Sequence, residues 1–260
     1  MLSTAFLGGV VLLLVVALAL AGLILVQRRV PLELRQSHNV ALGVVYGAIN
    51  VTFAVIAGFS AFLMLDKYTT AQDTVTREAG DVTEIYRLAE QFPETQRHQI
   101  QKLAKSYTQV VVEEEWPMMS SGQTSSRADT LVNDLGRGIE DFEPNTGSEQ
   151  AVYTQGLERV HDLAEDREHR LLNVREGLPP ILWVVLIVLA ATIVVFTYFL
   201  GMGNTRLHRG AVAALTASLA FVIFTIVALD NPFGGSFRVG ADSFERAQST
   251  MEGTIDQGAS

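Results

Sequence analysis

The sequence predicts an all-α membrane protein: four transmembrane helices, with a helical water-soluble insert between the second and third. Three observations carry this. Apolar residues make up 48% of the 260 but lie in blocks, and mean hydropathy is +0.26. Charged residues are only 18% of the chain, below the ~25% of an ordinary soluble domain. Four stretches reach the ~20 mostly apolar residues needed to cross a ~30 Å hydrocarbon core. They are Thr4 to Val26, Val40 to Leu65, Leu178 to Leu200 and Ala211 to Leu229, and none contains Lys, Arg, Asp or Glu. A charge at the bilayer centre costs a few kcal/mol, so this absence is expected of true spans.

The first span reads as a retained anchor. No Lys or Arg precedes it, Arg28 and Arg29 follow it, and its run exceeds the ~7–15 apolar residues of a signal-peptide core. A short polar connector through Gln36 leads to the second span. Ser37 and Asn39 are both suited to capping that helix, because their side-chain oxygens can accept orphan backbone N–H groups. Residues 1–66 thus hold spans 1 and 2.

Residues 67–177 form the acidic soluble segment. It carries 12 Lys and Arg against 21 Asp and Glu, which accounts for the whole net charge of −9. That balance disfavours nucleic acid, whose binding rests on phosphate neutralisation, and argues against this segment docking on anionic lipid. Val75, Ala79, Val82, Tyr86 and Ala89 continue a helical period beyond span 2. Phe92-Pro93 breaks it, and Ile100, Leu103, Tyr107, Val110 and Val111 mark the next helix. Met118 to Ser126 reads as an exposed loop. A short helix with Leu131, Leu135 and Phe142 follows. Tyr153, Leu157, Val160, Ala164, Leu171 and Val174 then imply a long helix aimed at span 3, with Gly177 and Pro179-Pro180 at the junction. Residues 178–230 hold spans 3 and 4, which form a hairpin because their connector is short. Residues 231–260 are expected to be a polar tail, frayed from about Ser249.

Sites of chemistry are sparse. His161, Glu165 and His169 share a helix face at four-residue spacing and could in principle bind zinc, as a metal-dependent membrane enzyme would need. Their neighbours Asp162, Asp166, Arg167, Glu168 and Arg170 favour a solvated, salt-paired face instead, and no zincin motif accompanies them. Glu113-Glu114-Glu115 cannot converge on one ligand, since consecutive helical residues point ~100° apart. There is no cysteine, Walker loop, dinucleotide fingerprint or nucleophile elbow. Neither enzyme chemistry nor a bound cofactor or metal is expected. Val51, Val55 and Phe59 form one apolar stripe on span 2. Ordinary helix packing explains such a stripe; so does an apolar constriction lining a pore.

The passage from Val51 through Gly58-Phe59 to Lys67-Tyr68 resembles the pore helix of the bestrophins. Asn231-Pro232-Phe233-Gly234 is similar to the tetrapeptide those proteins carry just after their fourth span. Glu113-Glu114-Glu115-Trp116-Pro117, Gly177-Leu178-Pro179-Pro180 and Ala228 to Phe233 resemble the bacterial bestrophin-like family more specifically, over about Pro31 to Phe244. The resemblance implies a bestrophin-like fold and a homo-oligomeric, pentameric channel for small anions in a bacterial inner membrane. Val51, Val55 and Phe59 would line its neck, and Asn231, Pro232, Phe233 and Gly234 would open the segment that clasps calcium in some members. Here Gly235-Ser236-Phe237-Arg238 stands where the calcium-binding form has acidic residues. Calcium needs six to eight oxygen ligands, so calcium gating is not expected. The alternative is a non-conducting sensor or interaction module built on the acidic segment. Arg28, Arg29, Arg35, Arg206 and Arg209 place the short connectors in the cytoplasm by the positive-inside rule, whereas the resemblance implies that the large insert is cytoplasmic. These two expectations conflict.

Overall fold

Helix is the only regular secondary structure among the described residues, as a chain of 3.6-period segments punctuated by Pro and Gly should produce. The computed structural model describes residues 2–175, 177–234 and 238–258. Ten α-helices are numbered here: α1 (Leu2–Arg29), α2 (Leu32–Ser37), α3 (Asn39–Leu88), α4 (Glu94–Val110), α5 (Trp116–Met119), α6 (Ser126–Glu140), α7 (Gly147–Arg175), α8 (Pro180–Phe199), α9 (Thr205–Asp230) and α10 (Asp242–Gly258). Four of them, α1, α3, α8 and α9, are long and apolar enough to cross a membrane.

The chain divides into two units. The first comprises residues 1–66 and 177–231, the second 67–176 and 232–260. At ~1.5 Å per residue the 50 residues of α3 run about 75 Å, more than twice a hydrocarbon core. Its apolar half, up to Leu65, therefore belongs to the first unit and its amphipathic half to the second.

In the first unit Phe53, Ala57 and Met64 of α3 pack on Leu186, Ala190 and Ile193 of α8 and Leu219 and Ile226 of α9. Ala19 and Leu23 of α1 meet Val212 of α9. The connectors are tied together by Asn39, whose amide both donates to the Gly201 carbonyl (3.1 Å) and accepts from the Gly201 amide (2.8 Å). Asn39 is thus spent on a contact 162 residues away and is not free to cap its own helix. Ser37 does not cap α3 either; its hydroxyl donates back to the Leu34 carbonyl. Gly201 has no room for a side chain, since a Cβ would lie 2.6 Å from the Gln36 nitrogen. Asp230, at the end of α9, accepts from the Leu178 amide at 2.6 Å, which joins the last residue of span 4 to the approach to span 3.

The second unit is a helical core of α3, α4, α6, α7 and α10, with Ile85, Ile100, Tyr107, Leu135, Ile139, Leu163 and Phe244 buried at its centre. Phe92 meets Phe142 edge-on at 5.0 Å, so the aromatics flanking two breaks seal one end. Three expectations are corrected here. Met119 and Ser125 are buried rather than part of an exposed loop, because Met119 closes on the core from α5 and Ser125 caps α6 by accepting from the Ala128 amide. Ser249 lies within a helix rather than a frayed tail: α10 extends to Gly258, and its buried Phe244, Ala247 and Met251 recur at three- and four-residue spacing. Ala164 is exposed, since the inner face of α7 is Val152, Gly156, Leu163, Asp166, Arg167 and Arg170.

Candidate functional site

Helical geometry puts the Val51 stripe opposite the face that packs. Val55 and Ala57 are two residues, or ~200°, apart. The packed face is Phe53, Ala57, Ser60 and Met64, each 5% exposed or less, whereas Val51, Val55 and Phe59 are 64%, 65% and 56% exposed. Among the described residues the three therefore stand largely exposed, away from the packed face. The stripe is thus not part of the packed face of the first unit. Val40, Val44 and Phe62 extend the exposed apolar surface. Two polar residues of the same span turn back on the backbone: Asn50 donates to the Tyr46 carbonyl (2.8 Å) and Thr52 to the Ala48 carbonyl (3.0 Å). The amide of Asn50 and the hydroxyl of Thr52 thereby satisfy themselves without neutralising the apolar stripe.

A second constellation lies in the second unit. Arg170 is fully buried, and its guanidinium donates to Glu78 (2.5 and 2.9 Å) and Glu115 (2.7 Å), both of which are also fully buried. Arg167 reaches the other oxygen of Glu115 at 2.6 Å and also pairs with Asp129. Tyr107 donates to Glu78. Burial alone would raise the pKa of Glu115, but Arg170 and Arg167 overcome it and hold the carboxyl below its ordinary value. Burial pushes the Tyr107 hydroxyl well above its usual range, and the Glu78 charge adds to this. The expected face around these residues is salt-paired, but it is not solvated at Asp166, Arg167 and Arg170, which are buried. Glu115 turns inward because residues Val111–Glu115 adopt a π-helical turn, which inserts an extra residue into the register. Its neighbours diverge as consecutive helical residues must: Glu114 pairs with Arg127 at 2.7 Å and Glu113 accepts from Gln109.

Aromatic rings connect this network to the segment after span 4. Phe233 meets Trp116 edge-on at 5.8 Å, Trp116 meets Phe244 at 5.9 Å, and Phe244 meets Tyr107 at 6.4 Å. The Arg170 guanidinium lies over Trp116 at 5.5 Å. Pro232 accepts from the Val239 amide (2.7 Å), so the chain turns back on itself, with Phe233 and Gly234 buried and Asn231 exposed. Gly235, Ser236 and Phe237 lie outside the described residues. Two sequence passages far apart in the chain, at Trp116 and at Phe233, are therefore brought into one cluster. Glu78, Arg167 and Arg170 complete it; the only sequence signal for them was their occurrence on otherwise core-forming faces.

An open acidic cleft of about 520 Å³ lies between α3 and α7 of the second unit, lined by Arg77, Asp81, Glu84, Arg159, Asp162, Glu165, Asp166 and His169. Arg77 donates to Asp166 at 3.1 Å, and Arg159 pairs with Asp81, Glu84 and Asp162. Burial, then the charges of Asp166 and Asp162, push Asp81 up to about 6 against the pull of Arg159. His169 and Glu165 approach within 3.5 Å, while His161 does not line the cleft. Among the described residues no three ligand-type side chains gather as a metal site would require.

The Bestrophin-like domain matches residues 13–244 of the sequence. The chain belongs to the bestrophin-like family. Its fold agrees: a bacterial bestrophin homologue from Klebsiella pneumoniae, crystallised as a point variant, superposes with a TM-score of 0.70 at 12% identity, covering 93% of this chain and 99% of that one. A second variant of the Klebsiella protein gives a TM-score of 0.66 at 13% identity, with 93% and 97% coverage. A crystal structure of a membrane protein, also a point variant, gives a TM-score of 0.69 at 11% identity, with 93% and 98% coverage. No curated protein matches this bestrophin-like chain by sequence. At these identities the likeness is one of fold.

Proposed function

We propose that this bestrophin-like membrane protein is a homo-oligomeric anion channel, with chloride as the reference ion. Its second span lines a central pore, and Val51, Val55 and Phe59 form the apolar neck. The observation that carries the reading is the exposed stripe on α3: a helix that packs one face in its own chain leaves the opposite, largely apolar face for other copies and for a pore. Family membership and fold make an assembly of five copies in a bacterial inner membrane the expected arrangement. The span from Val40 to Leu65 has no ionisable residue, so discrimination rests on the width of the constriction, on dewetting and on backbone or hydroxyl dipoles rather than on a charged ring. Asn231, Pro232, Phe233 and Gly234 carry the chain from the last span into the second unit, and Arg238, where the calcium-binding form has acidic residues, argues against calcium gating.

The acidic cleft is the observation that favours the competing reading, a non-conducting sensor or interaction module. Chloride efflux from liposomes containing the purified protein separates the two. Efflux that Phe59→Ala raises severalfold supports a neck in span 2. No efflux from protein shown to be folded and oligomeric overturns the channel; efflux indifferent to Phe59→Ala overturns the neck.

A further inference from the structure

A membrane-embedded groove and a buried arginine with no counter-ion among the described residues lie at the same end of the first unit. The groove, of about 660 Å³, runs between α1, α8 and α9. That is within the usual ~300–1,000 Å³ of small-molecule sites. Along α8 it extends from Ile187 to Tyr198, about 16 Å at ~1.5 Å per residue. One leaflet of a ~30 Å hydrocarbon core is about 15 Å deep, so the groove has the length of one acyl chain lying in one leaflet.

Its two ends are built differently. At one end the Phe224 ring lies so close to α1 that a Cβ on Gly8 would fall 2.4 Å from it. At the other the Tyr198 ring occupies the space a Cβ on Gly22 would need, with its hydroxyl 2.9 Å from that position. The second end holds the polar groups. Thr216, 2% exposed, lines the groove two-thirds of the way from Phe224 toward Val212, the α9 residue that packs with Leu23 and Tyr198. Its hydroxyl has no hydrogen-bond partner. Several span hydroxyls fold back on their own helix, Thr192 on Val188, Ser218 on Ala214 and Thr225 on Phe221, whereas the buried Ser60 hydroxyl of α3 also lacks a partner among the described residues. Thr216 does not fold back, although a buried hydroxyl in an apolar setting is costly to leave unmade.

Beyond the Tyr198 end lie five arginines against one carboxylate, Glu33. Arg28 and Arg29 close α1, and Arg206 and Arg209 open α9; all four are exposed. Arg35 of α2 is only 7% exposed. Its Nε has no partner, its one hydrogen bond goes to the Tyr198 carbonyl at 3.5 Å, and no carboxylate lies within ion-pair distance among the described residues. A buried guanidinium without an anion calls for one. His208, beside it, is satisfied by the Thr197 carbonyl and Gln27.

We propose that the groove between α1, α8 and α9 holds one anionic phospholipid: an acyl chain lies along Ala190, Ala220 and Phe224, its ester oxygen accepts from Thr216, and its phosphate meets Arg35. The polar end, the unpaired cation and the leaflet-length apolar channel occur in the order that such a lipid presents them. This site stands on the first unit alone and does not depend on whether the protein conducts.

Native mass spectrometry of the detergent-solubilised full chain, titrated with phosphatidylglycerol or phosphatidylcholine of matched chains, tests it. The expected result is one tightly held phosphatidylglycerol per chain, bound several times more strongly than phosphatidylcholine, at roughly fivefold per engaged arginine. Ala220→Phe, which fills the groove, should abolish that adduct for both lipids. Thr216→Val should weaken both by roughly two- to tenfold, the loss of one hydrogen bond. Arg35→Gln should remove the preference for phosphatidylglycerol. The exposed pair Arg206→Gln and Arg209→Gln should reduce it in a chain whose folding is not in question. An adduct that survives Ala220→Phe, or equal binding of the two lipids by the unmodified protein, overturns the proposal. Loss of oligomer mass with Ala220→Phe, without loss of lipid, would show instead that a second copy covers the groove.

Discussion

Arg170→Leu should be the most damaging substitution in the second unit. Among the described residues Arg170 is the one cation that touches both Glu78 and Glu115, and all three are fully buried. Removing it does not strand both carboxylates equally. Glu115 keeps Arg167 at 2.6 Å and the Ser125 amide at 3.1 Å, whereas Glu78 keeps only the Tyr107 hydroxyl. The cost is therefore that of breaking about one buried pair, ~3–5 kcal/mol, with ~1 kcal/mol more for the contact over Trp116. At ~2–4 °C per kcal/mol this lowers the melting temperature by about 10 °C or more. Trp116 and Trp183 are the two tryptophans. On a Trp183→Phe background, Trp116 emission reports the network directly during a thermal ramp in detergent. Arg127→Leu is the control: that pair with Glu114 is well exposed, so its loss should cost under ~1 kcal/mol. Adding Glu78→Gln to Arg170→Leu should recover part of the loss, because the stranded charge is gone. If Arg170→Leu melts within ~2 °C of Arg127→Leu, or if Glu78→Gln makes it worse, the network is not what holds this unit together.

Two further predictions use the same unit. Asp81 is raised from 3.8 to about 6 in the folded chain, so the folded state binds its proton more tightly than the unfolded state. Its favourable contribution is present below pH ~4 and lost as pH rises through ~6. Asp81→Asn should therefore raise the melting temperature above pH 6 and have no such effect near pH 4; a gain that persists unchanged at pH 4 contradicts this origin. The chain has no cysteine, so Gln123→Cys, in an exposed turn, can be probed with an impermeant maleimide on intact cells. Protection until lysis is the outcome implied by the family topology, and labelling of intact cells would favour the positive-inside reading.

The membrane architecture was legible in the sequence because bilayer thickness and the cost of buried charge act on consecutive residues. Spans of uncharged apolar residues, breaks at Pro31, Pro93 and Pro179-Pro180, and the family motifs need no knowledge of who packs on whom. The stripe at Val51, Val55 and Phe59 was visible as periodicity, but periodicity cannot say which apolar face is used. Only the position of α8 and α9 against Phe53 and Ala57 decided that. The same limit explains the errors in the soluble segment. Arg167 and Arg170 read as solvated because a charged side chain is buried only when its partners are, and those partners, Glu78 and Glu115, lie 92 and 55 residues away from Arg170. Asn39 read as a helix cap, a role set by local geometry, until the fold brought Gly201 within reach of its amide. The C-terminal helix read as a frayed tail because its three core residues, Phe244, Ala247 and Met251, are too few to outweigh a polar composition until α4 is there to receive them. Composition and period act along the chain and are written in it; the choice among possible partners is a long-range contact, and only the tertiary structure makes it.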